Sequence, residues 1–284
     1  MLTYLNITTI EENVIRLIEP RVNNNVLNII QLSDDPRVQS YMKGKISACE
    51  RMGVGVKIHK PLDMPELLQL IKSLSEKKTN KFIIQTPINE AKFGTIYDLY
   101  NLIERDKDVD GFEFPLIKFR EYNRMSQFLI DPTFSPTAKG ALSIMYAARK
   151  EKQMNGNNLR GETITVIGTG LTSGLPIANA CMSLGATVYT ACSSTSYEDL
   201  KAMVMDSTIV VGCSGVPHIV DKELHSLRED AVYINVGMAK ENGKMKGDIN
   251  QLEVLELDNT LYANPLFKST GLLTCMYCCL NTVL

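Results

Sequence analysis

The sequence predicts an α/β protein of two domains, each with helices set against a parallel sheet. Three observations predict it. Short apolar, β-branched runs alternate with longer amphipathic stretches over nearly the whole chain, the pattern of strands joined by helical crossovers. These runs fall into two series separated by a turn and a connecting helix. The length, 284 residues, exceeds one ordinary core and suits two domains of common size.

In chain order, Leu27–Leu32 (LNIIQL), Val54–Ile58 (VGVKI) and Phe82–Gln85 (FIIQ) read as strands, with helical segments Val38–Met52 and Pro65–Leu74 between them. Asp131–Ser135 (DPTFS) has the proline and polar content of a turn. Ala138–Glu151 reads as a helix, and Asn155–Gly161 as a loop by its Asn and Gly. The second series is Thr163–Ile167, Ala186–Thr190, Thr208–Gly212 and Ala231–Val236, strands roughly 20 residues apart, each expected to be separated from the next by a helix. The final stretch, Gly271–Leu284, is apolar and helix-like. The expected domains are therefore 1–136 and 137–270, with about 271–284 packing back on the first.

Composition excludes several classes of function. Lys and Arg number 30 against 32 Asp and Glu, a net charge of −2, so no basic field draws the chain to nucleic acid. With 44% hydrophobic and 22% charged residues, wholesale disorder is excluded. No apolar run reaches the ~18–20 residues that span a bilayer, so no membrane partner is expected. The first residues lack the basic start, apolar stretch and cleavage site of a signal peptide. The seven cysteines show no paired metal spacing, and no metal is expected. Cys275, Cys278 and Cys279 form a C-x-x-C-C run inside LLTCMYCCLNTVL, where free cysteines read as small hydrophobes packed in a helix. A reducing cytoplasm is the expected setting.

The sharpest motif lies directly after strand TITVI. Gly168, Gly170 and Gly174 give G-x-G-x-x-x-G before a helical stretch at Leu175–Leu184. The first glycine permits a tight strand-to-helix turn, the second lets backbone approach a pyrophosphate, and the third lets helix and strand pack closely. A dinucleotide is the expected ligand, its phosphates facing the helix N-terminus. The cofactor's 2′-position is read near the end of the next strand, where Ala191–Ser196 (ACSSTS) offers hydroxyls and no carboxylate before Glu198. Both NAD and NADP stay open.

Three pieces of the first domain carry possible chemistry. Tyr41 and Lys45 stand at i and i+4, on one face of a helix. Gln85 follows strand FIIQ, at a carboxyl end, where α/β sheets bind ligands. Lys107–Gly111 (KDVDG) reads as a charged loop.

Taken together and in this order, these pieces resemble the bifunctional methylenetetrahydrofolate dehydrogenase/cyclohydrolase family. There a Tyr-x-x-x-Lys helix, a Gln-Leu-Pro-Leu strand end and a Lys-Asp-Val-Asp-Gly loop precede a Rossmann domain. The likeness runs from about Asn28 to Asn281. It includes Tyr41, Lys45, Gln85, Pro87, Asp108, Asp110 and Gly111, then Gly168, Gly174, Pro176, Ser193, Val236, Gly237, Gly247, Asp248, Asn281 and Thr282.

The resemblance implies an N-terminal α/β catalytic domain and a C-terminal Rossmann-type dinucleotide-binding domain, with a folate cleft between them. It implies Lys45 as the acid–base residue, oriented by Tyr41 and Gln85, and Asp110 as the acceptor for the pterin amino group and ring N–H, a role that suits an acceptor-only carboxylate. Ile84, Thr86 and Gly271 are further implied substrate contacts. Gly168, Thr169, Gly170, Gly174, Ser193, Met238 and Thr274 are implied contacts of NADP or NAD. The implied chemistry oxidises 5,10-methylenetetrahydrofolate to the methenyl form and hydrolyses that to 10-formyltetrahydrofolate. For the lysine to act near neutral pH, its pKa is expected to be depressed. Relatives of this architecture pair through the Rossmann domain, so a homodimer is expected.

The departures from the family cluster on the dinucleotide side. The family's Gly-Arg-Ser is Gly168–Gly170 (GTG) here, without the arginine that meets a 2′-phosphate. Its Cys-His-Ser is Ala191–Ser193 (ACS), and its Pro-Cys-Thr-Pro linker is Ser135–Ala138 (SPTA). The late glycine-rich loop becomes Pro265–Thr274 (PLFKSTGLLT), with Lys268 and Ser269 where glycines stand. Alternatives are a chain keeping only one of the two activities, a non-catalytic folate- or dinucleotide-binding protein, and a Rossmann dehydrogenase of another small substrate.

Overall fold

The computed structural model describes residues 7–111, 124–150, 158–263 and 270–284. The chain begins with α1 (Ile7–Ile18) and a short 3-10 turn at Glu19–Arg21. Next come β1 (Val26–Gln31), α2 (Pro36–Met52), β2 (Gly55–His59), α3 (Met64–Ser75) and β3 (Asn80–Gln85). Two short helices follow, α4 (Glu90–Phe93) and α5 (Ile96–Tyr100), and then α6 (Met125–Leu129) and α7 (Pro136–Lys150). The second series is β4 (Thr163–Ile167), α8 (Gly174–Ser183), β5 (Thr187–Ala191), α9 (Tyr197–Asp206), β6 (Ile209–Gly212) and β7 (Ala231–Asn235). Last are β8 (Met238–Glu241), β9 (Lys244–Gly247), α10 (Gln251–Val254), β10 (Thr260–Ala263) and α11 (Thr270–Val283). Parts of the expected connecting helix, the loop after it and the late loop (residues 151–157 and 264–269) lie outside the described residues.

Two compact units divide the chain. One takes described residues 11–111, 130–136 and 275–284; the other takes 137–150, 158–263 and 270–274, together with 7–10 and 124–129.

The first, the Lys45 unit, is built on a parallel sheet of order β2-β1-β3. β1 and β3 run in register to their carboxyl ends, where Gln31 faces Gln85. Apolar residues from the sheet (Ile30, Phe82, Ile84) pack with Leu67 and Ile71 of α3 and with Phe93, Leu99 and Tyr100. α3 is started by Asp63, whose carboxylate accepts from Glu66 N at 2.9 Å, and α5 by a Thr95–Asp98 capping box.

The second, the Gly168 unit, holds a five-stranded parallel sheet of order β10-β7-β6-β4-β5. β4 lies between β5 and β6, so successive crossovers leave it in opposite directions. That makes its carboxyl end a topological switch point, where such sheets bind ligands.

The helix expected between Thr208–Gly212 and Ala231–Val236 does not form; turns occupy 213–230. Gly215 and Pro217 interrupt the stretch, and the Asp221 carboxylate takes the amides of Glu223 and Leu224 at 2.8 and 2.9 Å, a local turn that competes with a helix. The antiparallel β8–β9 hairpin turns at Asn242–Gly243, both at positive φ (49° and 81°), the conformation a two-residue hairpin loop requires. Its Asn-Gly pair is a legible signal that the strand pattern alone does not use.

Candidate functional site

Lys45 lies in the middle of α2, and burial leaves it only 8% exposed. A lysine so enclosed needs partners, since an unpaired buried charge is expensive. Its Nζ donates to Gln85 Oε1 at 3.0 Å and stands 3.7 Å from Asp110 Oδ2. The Gln85 amide is itself oriented: Nε2 donates to the Thr86 carbonyl at 3.0 Å, which turns the oxygen toward the lysine.

Asp110 reaches this point because the loop before it is sewn to β3. Phe82 N donates to Lys107 O at 2.8 Å, and Val109 N to Phe82 O at 3.1 Å. Asn281 in α11 then donates to the carbonyls of Val109 and Phe134, both at 2.9 Å. The Lys-Asp-Val-Asp-Gly segment is thus a strand-like extension of the sheet rather than a solvated turn. Asp108 completes it by accepting the Asp110 amide at 3.0 Å.

The electrostatics differ from the depressed lysine that the sequence leads one to expect. Burial is the largest single influence and pulls the Lys45 pKa down. The Asp110 carboxylate, with Cys278 and Cys275 adding to it, more than offsets burial and holds the ammonium above its ordinary range. Asp110 in turn is pushed up by burial, with Lys45 pulling it back. The pair is therefore a buried ion pair in which the carboxylate is the leading influence that favours the charged lysine.

The structure brings Lys45, Gln85 and Asp110 together but leaves Tyr41 outside that hydrogen-bonded group. Tyr41 is 56% exposed, one turn before Lys45, and its hydroxyl bonds to no described residue. Ile84 is fully buried in the apolar core, and Thr86 is half-exposed.

Tyr100 is a neighbour that sequence reading missed. Its buried hydroxyl donates to the Ile84 carbonyl at 3.2 Å, and burial together with Asp110 and Asp108 keeps the phenol protonated. Nothing in the spacing around Tyr100 marks it. The cysteine run packs in this unit too: Cys278 and Cys279 are buried, Cys279 Sγ sits 3.3 Å from Cys49 Sγ, and a Cβ on Gly44 would stand 3.1 Å from Cys275 Sγ. Burial pushes the Cys275 and Cys278 thiols up, which keeps them protonated.

In the Gly168 unit the turn after β4 is shaped by close approach. Gly168 has φ +102°, and a Cβ there would lie 2.6 Å from the Cys213 carbonyl carbon. A Cβ on Gly174, the first residue of α8, would overlap the Gly168 carbonyl oxygen. A Cβ on Gly170 would meet nothing within 4 Å, so the middle of the turn is open to an approaching group. Ser173, at the α8 N-cap, makes no side-chain hydrogen bond to the helix; its own amide and that of Leu175 donate to the Gly170 carbonyl at 3.3 and 3.1 Å. This cradle fits a pyrophosphate held by backbone.

Thr169 is exposed in the same turn, and Ser193 is exposed just past β5. The nearby Asp199 is committed to the α9 cap, accepting Ser196 Oγ at 2.6 Å. Met238 opens β8 at 40% exposure. Gly271 is exposed in the first turn of α11, and the Thr274 hydroxyl donates to the Thr270 carbonyl at 2.8 Å, so it is engaged within its own helix. Pro265, Lys268 and Ser269 fall outside the described residues.

Comparison with known proteins covers both units. Residues 6–110 match the catalytic domain of tetrahydrofolate dehydrogenase/cyclohydrolase, and residues 135–284 match its NAD(P)-binding domain. The chain is 27% identical over 263 residues to the bifunctional protein FolD of Aquifex aeolicus, covering 90% of this chain and 83% of that protein. Its fold is similar to that of the bifunctional methylenetetrahydrofolate dehydrogenase/cyclohydrolase FolD from Campylobacter jejuni, with TM-score 0.80, 22% identity and coverage of 100% and 98%. A similar fold occurs in the methylenetetrahydrofolate dehydrogenase-cyclohydrolase of Trypanosoma brucei, solved with NADP and an inhibitor: TM-score 0.75, 21% identity, coverage 99% and 95%.

Proposed function

The chain belongs to the tetrahydrofolate dehydrogenase/cyclohydrolase family, and from that premise we propose how its own residues serve the two activities. It oxidises 5,10-methylenetetrahydrofolate to 5,10-methenyltetrahydrofolate and hydrolyses the methenyl form to 10-formyltetrahydrofolate. The observation that carries this reading is the buried Lys45, hydrogen-bonded to Gln85 and facing Asp110, inside the matched catalytic domain.

In the free protein Lys45 is an ammonium held by Asp110. A pterin whose amino group and ring N–H bond to Asp110 shares that carboxylate's charge, so its hold on the lysine weakens. Burial then dominates, and Lys45 releases its proton more easily. In hydrolysis, water adds to the methenyl carbon and gives one proton to Lys45. The carbinolamine hydroxyl then becomes the formyl carbonyl as the carbon–N5 bond breaks, Lys45 returns its proton to N5, and the hydroxyl proton is released to solvent. Gln85 keeps Nζ aimed throughout, because its own amide is anchored to Thr86. Tyr41, exposed one turn earlier on α2, is placed to cover the lysine once substrate arrives.

The turn at Gly168, Thr169, Gly170 and Gly174 would hold the dinucleotide's phosphates, with Ser193 beside its ribose and Met238 and Thr274 toward its nicotinamide end. When bound, the nicotinamide supplies the hydride acceptor for the oxidation. No arginine stands at Thr169, and Asp199, near Ser193, is committed to its helix cap, so both NAD and NADP are used, NAD comparably or better. Seven free cysteines support a reducing cytoplasm, and the family likeness supports a homodimer. Absorbance assays with methylenetetrahydrofolate and each dinucleotide, reading reduced dinucleotide and methenyl product separately, test the reading. Neither product appearing would refute it.

A further inference from the structure

Asp248 has no part in the chemistry above, yet it is the most buried carboxylate described in the Gly168 unit, at 0% exposure. It follows β9 and lies at the carboxyl ends of β6 and β7. Its Oδ2 accepts three hydrogen bonds, from Ser214 N at 2.5 Å, Ser214 Oγ at 2.8 Å and Gly215 N at 3.1 Å. Ser214 Oγ also accepts from Val216 N at 3.2 Å, which closes the loop on itself. Oδ1 has no hydrogen-bond partner among the described residues.

Two glycines clear the space for this carboxylate. A Cβ on Gly212 would lie 2.5 Å from Asp248 Cβ, and one on Gly237 would lie 2.5 Å from Oδ1. The backbone is fixed as well: Val220 N donates to Asp248 O at 3.1 Å, and Asp248 N to Gly237 O at 3.3 Å. The loop it holds is the one against which the glycine turn rests. A Cβ on Gly168 would meet Cys213 O and Ser214 N, both at 2.7 Å, and Cys213 N donates to Ile167 O at 2.7 Å. On its outer side the same loop exposes Ser214 and Val216 at the switch-point edge of the sheet. A buried carboxylate is tolerated only when donors satisfy it, and charge-assisted bonds from two consecutive amides fix a loop more firmly than neutral ones.

We infer that Asp248 is a positioning residue for the dinucleotide: it fixes the Ser214–Val216 loop and, through that loop, the Gly168 turn that faces the phosphates. The inference rests on the reading that this unit binds a nicotinamide dinucleotide. Asp248 touches no ligand itself; it acts through the amides of Ser214 and Gly215.

The test uses the full chain with Asp248→Ala, Asp248→Asn and Ser214→Ala. Three readouts are taken: affinity for NADH and NADPH from nicotinamide fluorescence, hydrogen exchange of the Ser214 and Gly215 amides without ligand, and methenyltetrahydrofolate hydrolysis without dinucleotide. Asp248→Ala should weaken dinucleotide binding by about tenfold or more and speed exchange at both amides, because it removes three bonds at once. Asp248→Asn keeps one acceptor oxygen and should recover most of that, to within about threefold of wild type. Ser214→Ala loses the hydroxyl's bonds to Asp248 and from Val216 N but keeps both amide bonds, and should weaken binding by about three- to fivefold with faster exchange at Ser214 and Gly215. Hydrolysis should persist in all three. Wild-type affinity and exchange in Asp248→Ala would overturn the inference, and so would loss of hydrolysis in step with binding, which marks a general folding role. Should Asp248→Ala fail to fold, unchanged affinity and exchange in Ser214→Ala would overturn it alone. Wild-type protein that binds neither NADH nor NADPH would instead remove the underlying reading, and the inference with it.

Discussion

Around Lys45 the working groups are side chains: an ammonium, an amide oxygen at 3.0 Å and a carboxylate at 3.7 Å, all held inside one unit. At the Gly168 turn the working groups are backbone, and the side chains matter chiefly by being small. The two regions therefore tolerate change differently. Proton transfer, the role proposed for the first region, needs a particular functional group at a particular place. A phosphate cradle, the role proposed for the second, needs only amides and room, which the Gly168–Gly170 turn offers without a charged side chain.

The largest expected effect breaks the side-chain region alone. Lys45→Met removes the proposed proton shuttle while preserving an apolar stem of similar length. Hydrolysis of methenyltetrahydrofolate should fall by about two to four orders of magnitude, the usual weight of a general acid–base group. Folate binding should remain measurable by titration. A variant that hydrolyses at the wild-type rate refutes the role of Lys45.

Gly174→Ala attacks the backbone region. Its Cβ would overlap the Gly168 carbonyl, and overpacking of this kind destabilises by about 1–3 kcal/mol. Dinucleotide affinity should drop by roughly tenfold or more, while hydrolysis measured without dinucleotide continues. Equal loss of both would show that the two regions are not separable.

Asp110→Asn replaces an acceptor pair by one acceptor and one donor. Folate affinity should fall by ~1–3 kcal/mol, with dinucleotide affinity unchanged in parallel titrations. Smallest is the effect of restoring the missing cation. Thr169→Arg should raise the preference for NADP over NAD about three- to tenfold, an effect that weakens with salt, because a surface guanidinium is screened. A preference for NADP already large in the unsubstituted protein would mean that another cation reads the 2′-phosphate.

Much of this was legible before any coordinates. Strands with β-branched runs and helices with capping residues are local signals, and β1, β3, β4 and α8 lie within a residue or two of where periodicity places them. The site was legible through order and spacing: no single property of Lys45, Gln85 or Asp110 marks it, but their sequence along the chain does. What escaped is long-range. The expected helix over 213–230 is overridden by Asp221 and Ser226, whose side chains satisfy backbone groups in turns. Asp248 appeared only as a matched residue, because its role depends on loops 33 and 34 residues away in the chain. The upward direction of the Lys45 shift in the free protein is hidden from the sequence for the same reason. Burial is readable from an amphipathic helix, but the carboxylate that leads the opposing influences comes from a loop sewn to another strand.

The central claim is that Asp110 governs the charge on Lys45, and the pH dependence of kcat/KM for methenyltetrahydrofolate hydrolysis tests it most directly. In wild type the lysine's pKa is raised, so the basic form accumulates only as pH climbs through the alkaline range, and kcat/KM should still be rising there. In Asp110→Asn the carboxylate is gone and burial is left to act, so the rising limb should move to lower pH even though the absolute rate is smaller. A limb that stays where wild type has it, or moves to higher pH, would contradict the account.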